Sequence, residues 1–443
     1  MAALASMVPQ RQVLTLAVVL ALSLTFGGVS QSFGQIGAGP TQHQWAEHYQ
    51  GVFAAAGNSV IPTYSPHGMP VSATAAELQA QTAAGQTAMA GILDGSSESQ
   101  TGLFADRSEM DQWVTIQRYN EHAFDFRAES VSMRRDSDDT NLLLTTDGVG
   151  TATPVLSTGD APLNTDEAGT RLTAAVYFAN KFDLEFVYMG GLHWENSAQA
   201  TSSTDSLFSV FSAFGTDPVP GIGQGFVATD QAALHGFEHE STLDSFELNF
   251  AQFRWGSFDG PVAGTWMFGI RYLRVNENIF HFTRANEHTD PVTGLLRGPG
   301  SLDYFSAIEN NLIGFQVGGE LSASPVPGMI VGAELKVGIY GNRVKNSTNI
   351  IVTPGVPSII NEQTVDETAA YAGELNISVA YRLFREVYAR AGYQALVVTN
   401  LGLGPNNFNT AAPFSAGTPR ATFVDTSGQS LWQGVNLGVE WQF

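Results

Sequence analysis

The sequence contains no cysteine among its 443 residues. This excludes disulfides, thiolate metal sites, cysteine nucleophiles and a lipid-modified N-terminal cysteine. Charge is also scarce, since Asp, Glu, Lys and Arg together make up only 14% of the residues, against about 25% in soluble domains. The chain therefore lacks the densely charged surface that an ordinary soluble protein presents to water.

Basic residues are few, because 20 Lys and Arg stand against 42 Asp and Glu, giving a net charge of −22. Nucleic-acid binding needs clusters of Lys and Arg against the phosphates, so nucleic acid is not expected as a partner. Beyond the N-terminus no segment reaches the roughly 18 consecutive apolar residues of a transmembrane helix. No phosphate-binding loop or dinucleotide fingerprint appears in the right context, and no cofactor is predicted.

The first 34 residues have the pattern of a secretory signal peptide. Met1 to Arg11 carries one basic residue and no acid, Val13 to Phe26 is apolar, and small residues allow cleavage after Ser30 or Gly34. The apolar stretch is shorter than the roughly 20 residues of a membrane anchor. We therefore expect residues 1–34 to direct export and to be removed. Residues 35–122, rich in Ala, Gln and Ser, lack strand alternation and are expected to form a disordered or partly helical extension.

From residue 123 to 443 the sequence alternates between apolar and polar residues, which predicts β-strands. In Met329–Gly341, for example, Leu335 and Val337 alternate with Glu334 and Lys336. A phase slip near Ala251 indicates a β-bulge. The predicted strands are Phe124–Arg134, Gly169–Phe178, Lys181–Trp194, Ser241–Trp255, Ala263–Val275, Asn310–Ala323, Met329–Gly341, Tyr371–Phe384, Glu386–Val398 and Leu431–Phe443.

The links between these predicted strands alternate in length. Short links fall at 179–180, 256–262, 324–328 and around residue 385, and long links at 136–168, 195–240, 276–309, 342–368 and 399–430. Short periplasmic turns and long extracellular loops are the plan of an outer-membrane barrel. We predict an all-β, antiparallel, up-and-down transmembrane β-barrel of about 10 strands (10–12), with both termini in the periplasm. The alternative, a soluble β-sandwich or barrel, predicts mixed loop lengths and more charge.

The chain ends on "GVNLGVEWQF", in which Val439, Trp441 and Phe443 share one apolar face. Lipid offers no water to an open sheet edge, so the last strand has to pair with the first. Aromatic residues here match the girdle at the membrane interface. We interpret Val439, Trp441 and Phe443 as a C-terminal assembly signal, with membrane lipid and the barrel assembly machinery as the expected partners.

Several motifs also resemble those of one known family. "STLDSFELNF", "GIRYLRVNENI", "NNLIGFQVGGEL", "KVGIYGNRVKN", "RAGYQALVVTNLGLGPNNF" and "LWQGVNLGVEWQF" are similar, in order and spacing, to the repeated signatures of β-barrel porin family seven. The resemblance covers about residues 124–443. It implies an outer-membrane barrel of uncharacterised function, and it carries no catalytic residues over to this chain.

If the apolar faces point to lipid, the charged residues between them point into the lumen. The predicted lumen-facing charges are Glu185, Arg271, Glu320, Glu334, Lys336, Glu374, Arg382, Arg390 and Glu440. Paired charges of both signs would fill a narrow barrel. Two interpretations stay open: a structural barrel with a filled lumen, and a porin that passes small solutes or ions. Acidic predicted loops at 136–167 and 195–240, without Lys or Arg, favour cations if the lumen is open.

Other functions have weaker support in the sequence. The stretch "HGFEHE" (His235 to Glu240) matches an inverted zinc-protease pattern, but Gly236 and the neighbouring strand disfavour the helix that zinc binding needs. "DSDDTN" (Asp136 to Asn141) lacks the glycine and the closing glutamate of a calcium loop. We predict no metal site and no enzyme. The alternative to a pore is a filled barrel whose surface loops bind a partner, and an enzyme at the barrel rim is a further, less favoured interpretation.

Overall fold

The structure, a computed structural model, describes residues 124–150, 153–178, 182–217, 229–256, 262–289, 294, 296–353, 359–411 and 424–442. The predicted signal peptide and N-terminal extension, residues 1–34 and 35–122, lie outside the described residues. Among the described residues, no helix is long and apolar enough to cross a bilayer.

The described residues form strands and three single 3-10 turns. The strands, in chain order, are β1 (Phe124–Ser137), β2 (Leu143–Asp147), β3 (Pro154–Ser157), β4 (Asp166–Phe178), β5 (Phe182–Thr201), β6 (Leu207–Ser209), β7 (Ala232–Gly256), β8 (Val262–Ala285), β9 (His288–Thr289), β10 (Leu296–Arg297), β11 (Gly300–Ala323), β12 (Met329–Thr353), β13 (Ile359–Arg382), β14 (Val387–Leu401) and β15 (Gly428–Gln442). The 3-10 turns are Thr158–Asp160, Val210–Ser212 and Pro405–Asn407.

Ten of these strands form a closed antiparallel barrel. Each pairs with its neighbours in the order β1, β4, β5, β7, β8, β11, β12, β13, β14, β15, and β15 returns to β1. At this junction Asp125 lies opposite Gln442, and Ser137 lies opposite Ser430. The prediction of an antiparallel up-and-down barrel of about 10 strands is confirmed.

The outer face of the barrel carries a band of exposed apolar side chains. Phe315 is 72% exposed and Val337 is 51% exposed, whereas the inward-facing Lys336 beside Val337 is 2% exposed. The band runs around the barrel and includes exposed residues such as Phe186, Leu248, Phe268, Ile377, Tyr393 and Leu437. This is the inverse of a soluble protein and matches a surface meant for lipid.

The two ends of the barrel differ. At the turn end, consecutive strands are joined through 179–181, 257–261, 324–328 and 383–386; at the loop end they are joined through 138–165, 202–231, 286–299, 354–358 and 402–427. The predicted strands end close to the observed ones at the turn end. At the loop end they are too short: the predicted long links at 276–309 and 342–368 are mostly strand, and only 286–299 and 354–358 lie between strands.

The physical reason is that the strands continue beyond the apolar band. A membrane-crossing strand needs about 9–11 residues, but β7, β8, β11, β12 and β13 each have 24 or 25. Past the band, the outward positions of β12 become Arg343, Lys345, Ser347 and Asn349. The apolar alternation therefore stops while the strand pairing continues.

Two irregularities shape the wall. The predicted phase slip near Ala251 corresponds to a register shift between Gln252 and Trp255 in the pairing of β7 with β8. A second shift lies between Met189 and Leu192 in β5, where Gly191 has a φ of 76°. Glycine adopts this conformation without the strain a side chain would cause.

Candidate functional site in the barrel lumen

The middle of the lumen holds a central ion-pair cluster of three acids and three bases, made of Arg171, Glu247, Arg271, Glu334, Lys336 and Glu374. Lys336 Nζ lies 2.9 Å from Glu247 Oε2 and 3.2 Å from Glu334 Oε1. Arg271 Nη1 lies 2.7 Å from Glu374 Oε2, and Arg171 Nη2 lies 3.8 Å from Glu334 Oε2. These charges balance, which is what a buried group of ions requires.

Neutral side chains add hydrogen bonds to the carboxylates of the central cluster. Gln316 Nε2 donates to Glu247 Oε2 at 2.8 Å, and Gln394 Nε2 donates to Glu374 Oε1 at 3.0 Å. Tyr340 Oη donates to Gln316 Oε1 at 3.2 Å, and its ring occupies the space over Gly338, where a Cβ would lie 2.4 Å from the hydroxyl. Partnered carboxylates of this kind form a rigid polar core.

A second group of charges lies nearer the turn end. Arg390 Nη1 is 2.9 Å from Glu440 Oε2, and Arg390 Nε is 3.5 Å from Glu129 Oε1. Arg127 Nε is 3.3 Å from the same Glu440 oxygen. Glu440 therefore links the last barrel strand to the first and to β14 through ion pairs in the lumen.

An apolar layer covers the central cluster on the loop-end side. Trp194 and Trp432 are both fully buried in it, and the Trp194 indole N–H donates to the carbonyls of Met133 at 3.3 Å and Thr165 at 3.1 Å. Other members are Val131, Leu192, Leu243, Leu273, Val275, Leu312, Leu396 and Val398 from the wall, and Leu163 and Leu403 from the links. Side chains of the links thus enter the barrel and pack in its interior.

The link after β14 acts as a plug, which we define as residues 402–411. At Asn400 the backbone adopts a φ of 60° beside a bulge, and the chain turns into the barrel. The Asn310 side chain makes two hydrogen bonds with the backbone of Gly402. Its Nδ2 donates to the carbonyl at 2.9 Å, and its Oδ1 accepts from the amide at 2.7 Å. The Gly404 amide donates to Glu277 Oε2 at 2.5 Å.

Aromatic side chains hold the outer part of the plug. Phe408 lies 4.4 Å from Tyr304 and 5.8 Å from Phe211, measured between ring centroids. The Asn409 amide donates to Tyr304 Oη at 3.0 Å. Because Phe211 comes from the link between β5 and β7, side chains of two separate links meet here at the loop end.

A buried group of Arg135, His239 and Glu277 lies beside the plug. Arg135 Nη2 pairs with Glu277 Oε1, and His239 Nε2 is 3.4 Å from Glu277 Oε2. Burial alone would raise the pKa of the Glu277 carboxyl, but Arg135 and His239 hold that pKa below its ordinary value. A cavity of about 170 Å³ adjoins the group, between Arg135, Asp139 and the 158–164 segment.

The "HGFEHE" stretch forms part of β7 rather than a helix. His235 and His239 face inward and are buried, while Glu238 between them is on the other face. His235 Nδ1 is 2.8 Å from Thr145 Oγ1, and its Nε2 is 3.0 Å from the Thr229 carbonyl. No group of three His, Asp or Glu side chains suited to a metal ion occurs in the part of the chain that the structure describes.

The predicted lumen charges fall into several groups in the structure. Arg271, Glu334, Lys336 and Glu374 come together in the central cluster, and Arg390 and Glu440 pair nearer the turn end. Glu185 Oε1 accepts a bond from Asn249 at 3.1 Å. Glu320 lies opposite Glu334 across β11 and β12. Arg382 ends β13 at the turn 383–386, where its amide donates to the Gly328 carbonyl.

The predicted assembly signal lies partly outside the description. Val439 is 49% exposed on the outer face, and Trp441, opposite Phe126 of β1, is half-buried. Phe443 lies outside the described residues. The role of these three residues in assembly stays a prediction.

Several charges of the interior were missed in the sequence, among them Glu247, Arg171 and Arg135. Glu247 lies between Phe246 and Leu248, both on the apolar face, so its alternation already pointed inward. Arg171 occupies the same kind of position in "GTRLTAAVYF". Arg135 carries no such signal, because its neighbours Arg134 and Asp136 are polar and the plug that buries it comes from distant sequence.

Comparisons with known proteins find similar structures but no matching family. No family model matches the chain and no curated protein matches it, so the resemblance to β-barrel porin family seven stays a prediction. Among solved structures, the outer membrane protease OmpT from Escherichia coli matches with 9% identity and a TM-score of 0.36, over 75% of this chain and 98% of that chain.

Two further barrels match at a similar level. Neisserial surface protein A shares 10% identity at a TM-score of 0.22, over 72% of this chain and 97% of its own. A major outer membrane protein from Thermus thermophilus shares 11% identity at a TM-score of 0.27, over 73% of this chain and 100% of its own. Scores this low transfer no activity to this chain, and its barrel fold rests on its own strand pairing.

Proposed function

We propose that this chain is an outer-membrane β-barrel with a closed lumen, which anchors a tall extracellular structure at the cell surface. The observation that carries the proposal is the combination of an apolar outer band with a lumen filled by ion pairs. Lys336 and Val337 are neighbours in sequence, yet Lys336 is 2% and Val337 is 51% exposed. Such an inverted wall is stable in lipid and would aggregate in water.

Three successive layers of side chains and backbone fill the lumen and support the proposal that it is closed. The central ion-pair cluster spans the barrel from Arg171 on β4 to Glu374 on β13, the apolar layer covers it, and the plug covers the apolar layer. Many of the side chains involved are fully buried, including Trp194, Trp432 and Arg271. A passive pore needs a continuous water path, and each filling opposes one.

A second candidate function is passage of small cations after movement of the plug. The observation in its favour is that the plug is a link held by a few hydrogen bonds, such as those of Asn310 with Gly402, rather than a strand of the wall. Asn342 supports this contact, because its Nδ2 donates to Asn310 Oδ1 and to the Asn400 carbonyl just before the plug. Acids of the predicted loops, among them Asp136, Asp138 and Glu240, would attract cations to this end. Cation preference would appear as a reversal potential in a salt gradient.

The deciding experiment is conductance of the refolded protein in a planar bilayer. Four proteins and a control are compared. The four are the parent, Asn310→Ala/Asn342→Ala at the start of the plug, Glu247→Gln/Lys336→Gln in the central cluster, and the combination of all four changes. We expect no steady conductance from the parent and the largest openings from the combination. A steadily open parent channel would refute the closed lumen and establish the pore. Glu386→Gln, in the exposed turn 383–386, is the control.

A further inference from the structure

The loop end contains a cavity that the proposed function does not use. Its volume is about 170 Å³, close to the roughly 150 Å³ of an engineered protein cavity that takes up one benzene ring. One wall is formed by residues 135–141, at the end of β1 and just after it, and the other by the segment 158–164, while His239 of β7 also contributes. The cavity therefore has the size of a single six-membered ring.

Hydrogen bonds hold the two walls of the cavity in place. Thr158 Oγ1 donates to the Thr140 carbonyl at 2.8 Å and accepts from the Leu142 amide at 2.8 Å. The Gly159 amide donates to Asn141 Oδ1 at 3.3 Å. Because Thr158 is buried, this connection belongs to the fold rather than to a loose surface contact. The cavity between the walls is therefore preformed, as ligand sites usually are.

Two side chains of the lining keep hydrogen-bonding groups without a partner. The Arg135 side chain is fully buried, and within the described residues its Nε and Nη1 have no hydrogen-bond partner. Asp139 Oδ2 accepts from Ser137 Oγ at 2.5 Å, whereas Oδ1 has no such partner in the described part of the chain. Arg135 Nη1 and Asp139 Oδ2 are 3.7 Å apart, too far for a hydrogen bond between them. Donors and an acceptor thus lie next to each other in one cavity wall.

These groups restrict the chemistry of a ligand. A guanidinium only donates hydrogen bonds and a carboxylate only accepts them, whereas a hydroxyl does both. A carboxylate or phosphate ligand would lie against Asp136, Asp139 and the nearby Glu277, and like charges repel it. An ammonium ligand would lie against Arg135. A neutral ligand that carries hydroxyls avoids both conflicts.

We propose that this cavity binds one neutral sugar ring, whose hydroxyls accept from Arg135 and donate to Asp139. A six-membered ring with hydroxyls on most of its carbons matches both the volume and the polar lining. The ring is either a free sugar or the end of a surface glycan. Both reach the loop end if the barrel has the proposed orientation, but binding itself does not require the lumen to be closed.

The test is saturation-transfer difference NMR of the full-length protein in detergent micelles with glucose, galactose and mannose, followed by titration of the sugar that binds. Asp139→Ala should weaken binding by about 10- to 100-fold, the loss expected for one hydrogen bond to a charged group. Asp138→Ala is the matched control and should bind like the parent, because Asp138 is adjacent and exposed but does not line the cavity. The uronic acid of the sugar that binds should bind more weakly, because its carboxylate meets the acidic lining.

Arg135→Lys is a second variant, which keeps a cation near Glu277 and removes the Nε and Nη1 donors. It should also weaken binding, and if it fails to fold, Asp139→Ala decides alone. Binding of none of the three sugars would mean that water alone fills the cavity and would overturn the inference, as would equal affinity in the parent and Asp139→Ala. Methyl glycosides separate the two sources, since retained binding indicates a glycan end and lost binding a free sugar. The closed lumen is tested separately by conductance, so the two proposals fail independently.

Discussion

Lys336 is a residue whose contribution to stability depends on its partners. Its side chain is 2% exposed, and its ammonium contacts Glu247 and Glu334. Lys336→Met leaves both carboxylates facing the interior without their nearest base, and removing one partner of a buried ion pair costs about 3–5 kcal/mol. Urea titration of the protein in vesicles, followed by tryptophan fluorescence, should show that loss.

Lys345→Met is the control for this prediction, because Lys345 is on the same strand but pairs with Glu309 at the exposed outer face. Exposed pairs contribute about 0–1 kcal/mol. Equal losses in the two variants would mean that the lumen charges are hydrated and that the central cluster is not a dry core.

His235 and His281 make the loop end sensitive to acid. Burial and the neighbouring His281 lower the pKa of His235 to about 3, and burial lowers the pKa of His281 to about 4. In the unfolded chain both titrate near 6.5, so the unfolded state binds more protons between these values. The free energy of unfolding should therefore fall as the pH decreases from about 6.5 toward 4, by on the order of 1 kcal/mol per pH unit for each histidine.

The measurement compares urea midpoints at neutral pH and at about pH 4.5. The double variant His235→Gln/His281→Gln should have a smaller difference between the two midpoints than the parent. His193→Gln is a suitable control, since a hydrogen bond to Glu195 raises the pKa of His193 and its removal does not flatten the acid response. An unchanged difference in the double variant would contradict the assignment.

For single residues, the sequence predicts whether a side chain faces inward better than it predicts which residue it pairs with. The inward positions of Arg271, Lys336 and Glu374 follow from alternation alone. Their partners do not, because Arg271 and Glu374 are 103 positions apart and meet only across the lumen. Arg135 was missed for the same reason, because its burial depends on the plug, which is distant in sequence.

At the scale of the strand, β12 provides an internal comparison along one face. Val337 lies in the middle of the apolar outer band, and Ser347 faces the same way ten residues further on, past Arg343 and Lys345. Val337→Arg should impair folding into vesicles, because a cation on the lipid face near the midplane costs about 2–4 kcal/mol. Ser347→Arg should fold like the parent, since Ser347 lies past the apolar band.

The readout is the heat-modifiable fraction on a gel after refolding. A parent-like yield for Val337→Arg would place β12 at a different height in the bilayer or outside it. The prediction does not depend on whether the lumen is open, because both positions are on the outer face.

Asn310 should control how firmly the plug is held. Its side chain makes two bonds with Gly402 and accepts a third from Asn342 Nδ2 at 3.2 Å. Asn310→Ala should therefore speed amide hydrogen exchange over residues 402–411 while the wall strands stay protected. Asn311→Ala is the control, because the adjacent Asn311 faces outward. Equal exchange in the two variants would show that aromatic packing alone holds the plug.

The ends of the elements divide into those that the sequence predicts and those that it does not. At the turn end the apolar outer band reaches the strand ends, so apolar alternation and strand pairing stop together. At the loop end the strands continue past the apolar band, so the sequence around polar positions such as Arg343 and Lys345 has the pattern of a loop. The plug could not be predicted from the sequence either, because a link rich in Gly and Asn shows no sign of being buried until the lumen around it is known.

For the whole molecule, the decisive prediction is location. Cell fractionation should recover the protein in the outer membrane, and the folded barrel should migrate faster on a gel before heating than after it. The reason is that the apolar band needs lipid on every side of the closed barrel. Recovery of the protein as a soluble periplasmic species would refute the proposal. Topology at this scale was predictable from the strand count and the alternation of links, whereas the height of the wall was not.

The closure of β1 against β15 has a kinetic consequence. It joins residues as far apart as Asp125 and Gln442, whereas neighbouring hairpins need only short contour lengths to form. The entropy lost on closing a loop of chain rises with the length of the loop. We therefore expect the hairpins to form first and the pairing of β1 with β15 to form last. Until then the nascent sheet has two unpaired edges, each able to recruit a strand from another molecule. We therefore expect the last step of barrel formation and the greatest risk of aggregation to coincide at the pairing of β1 with β15.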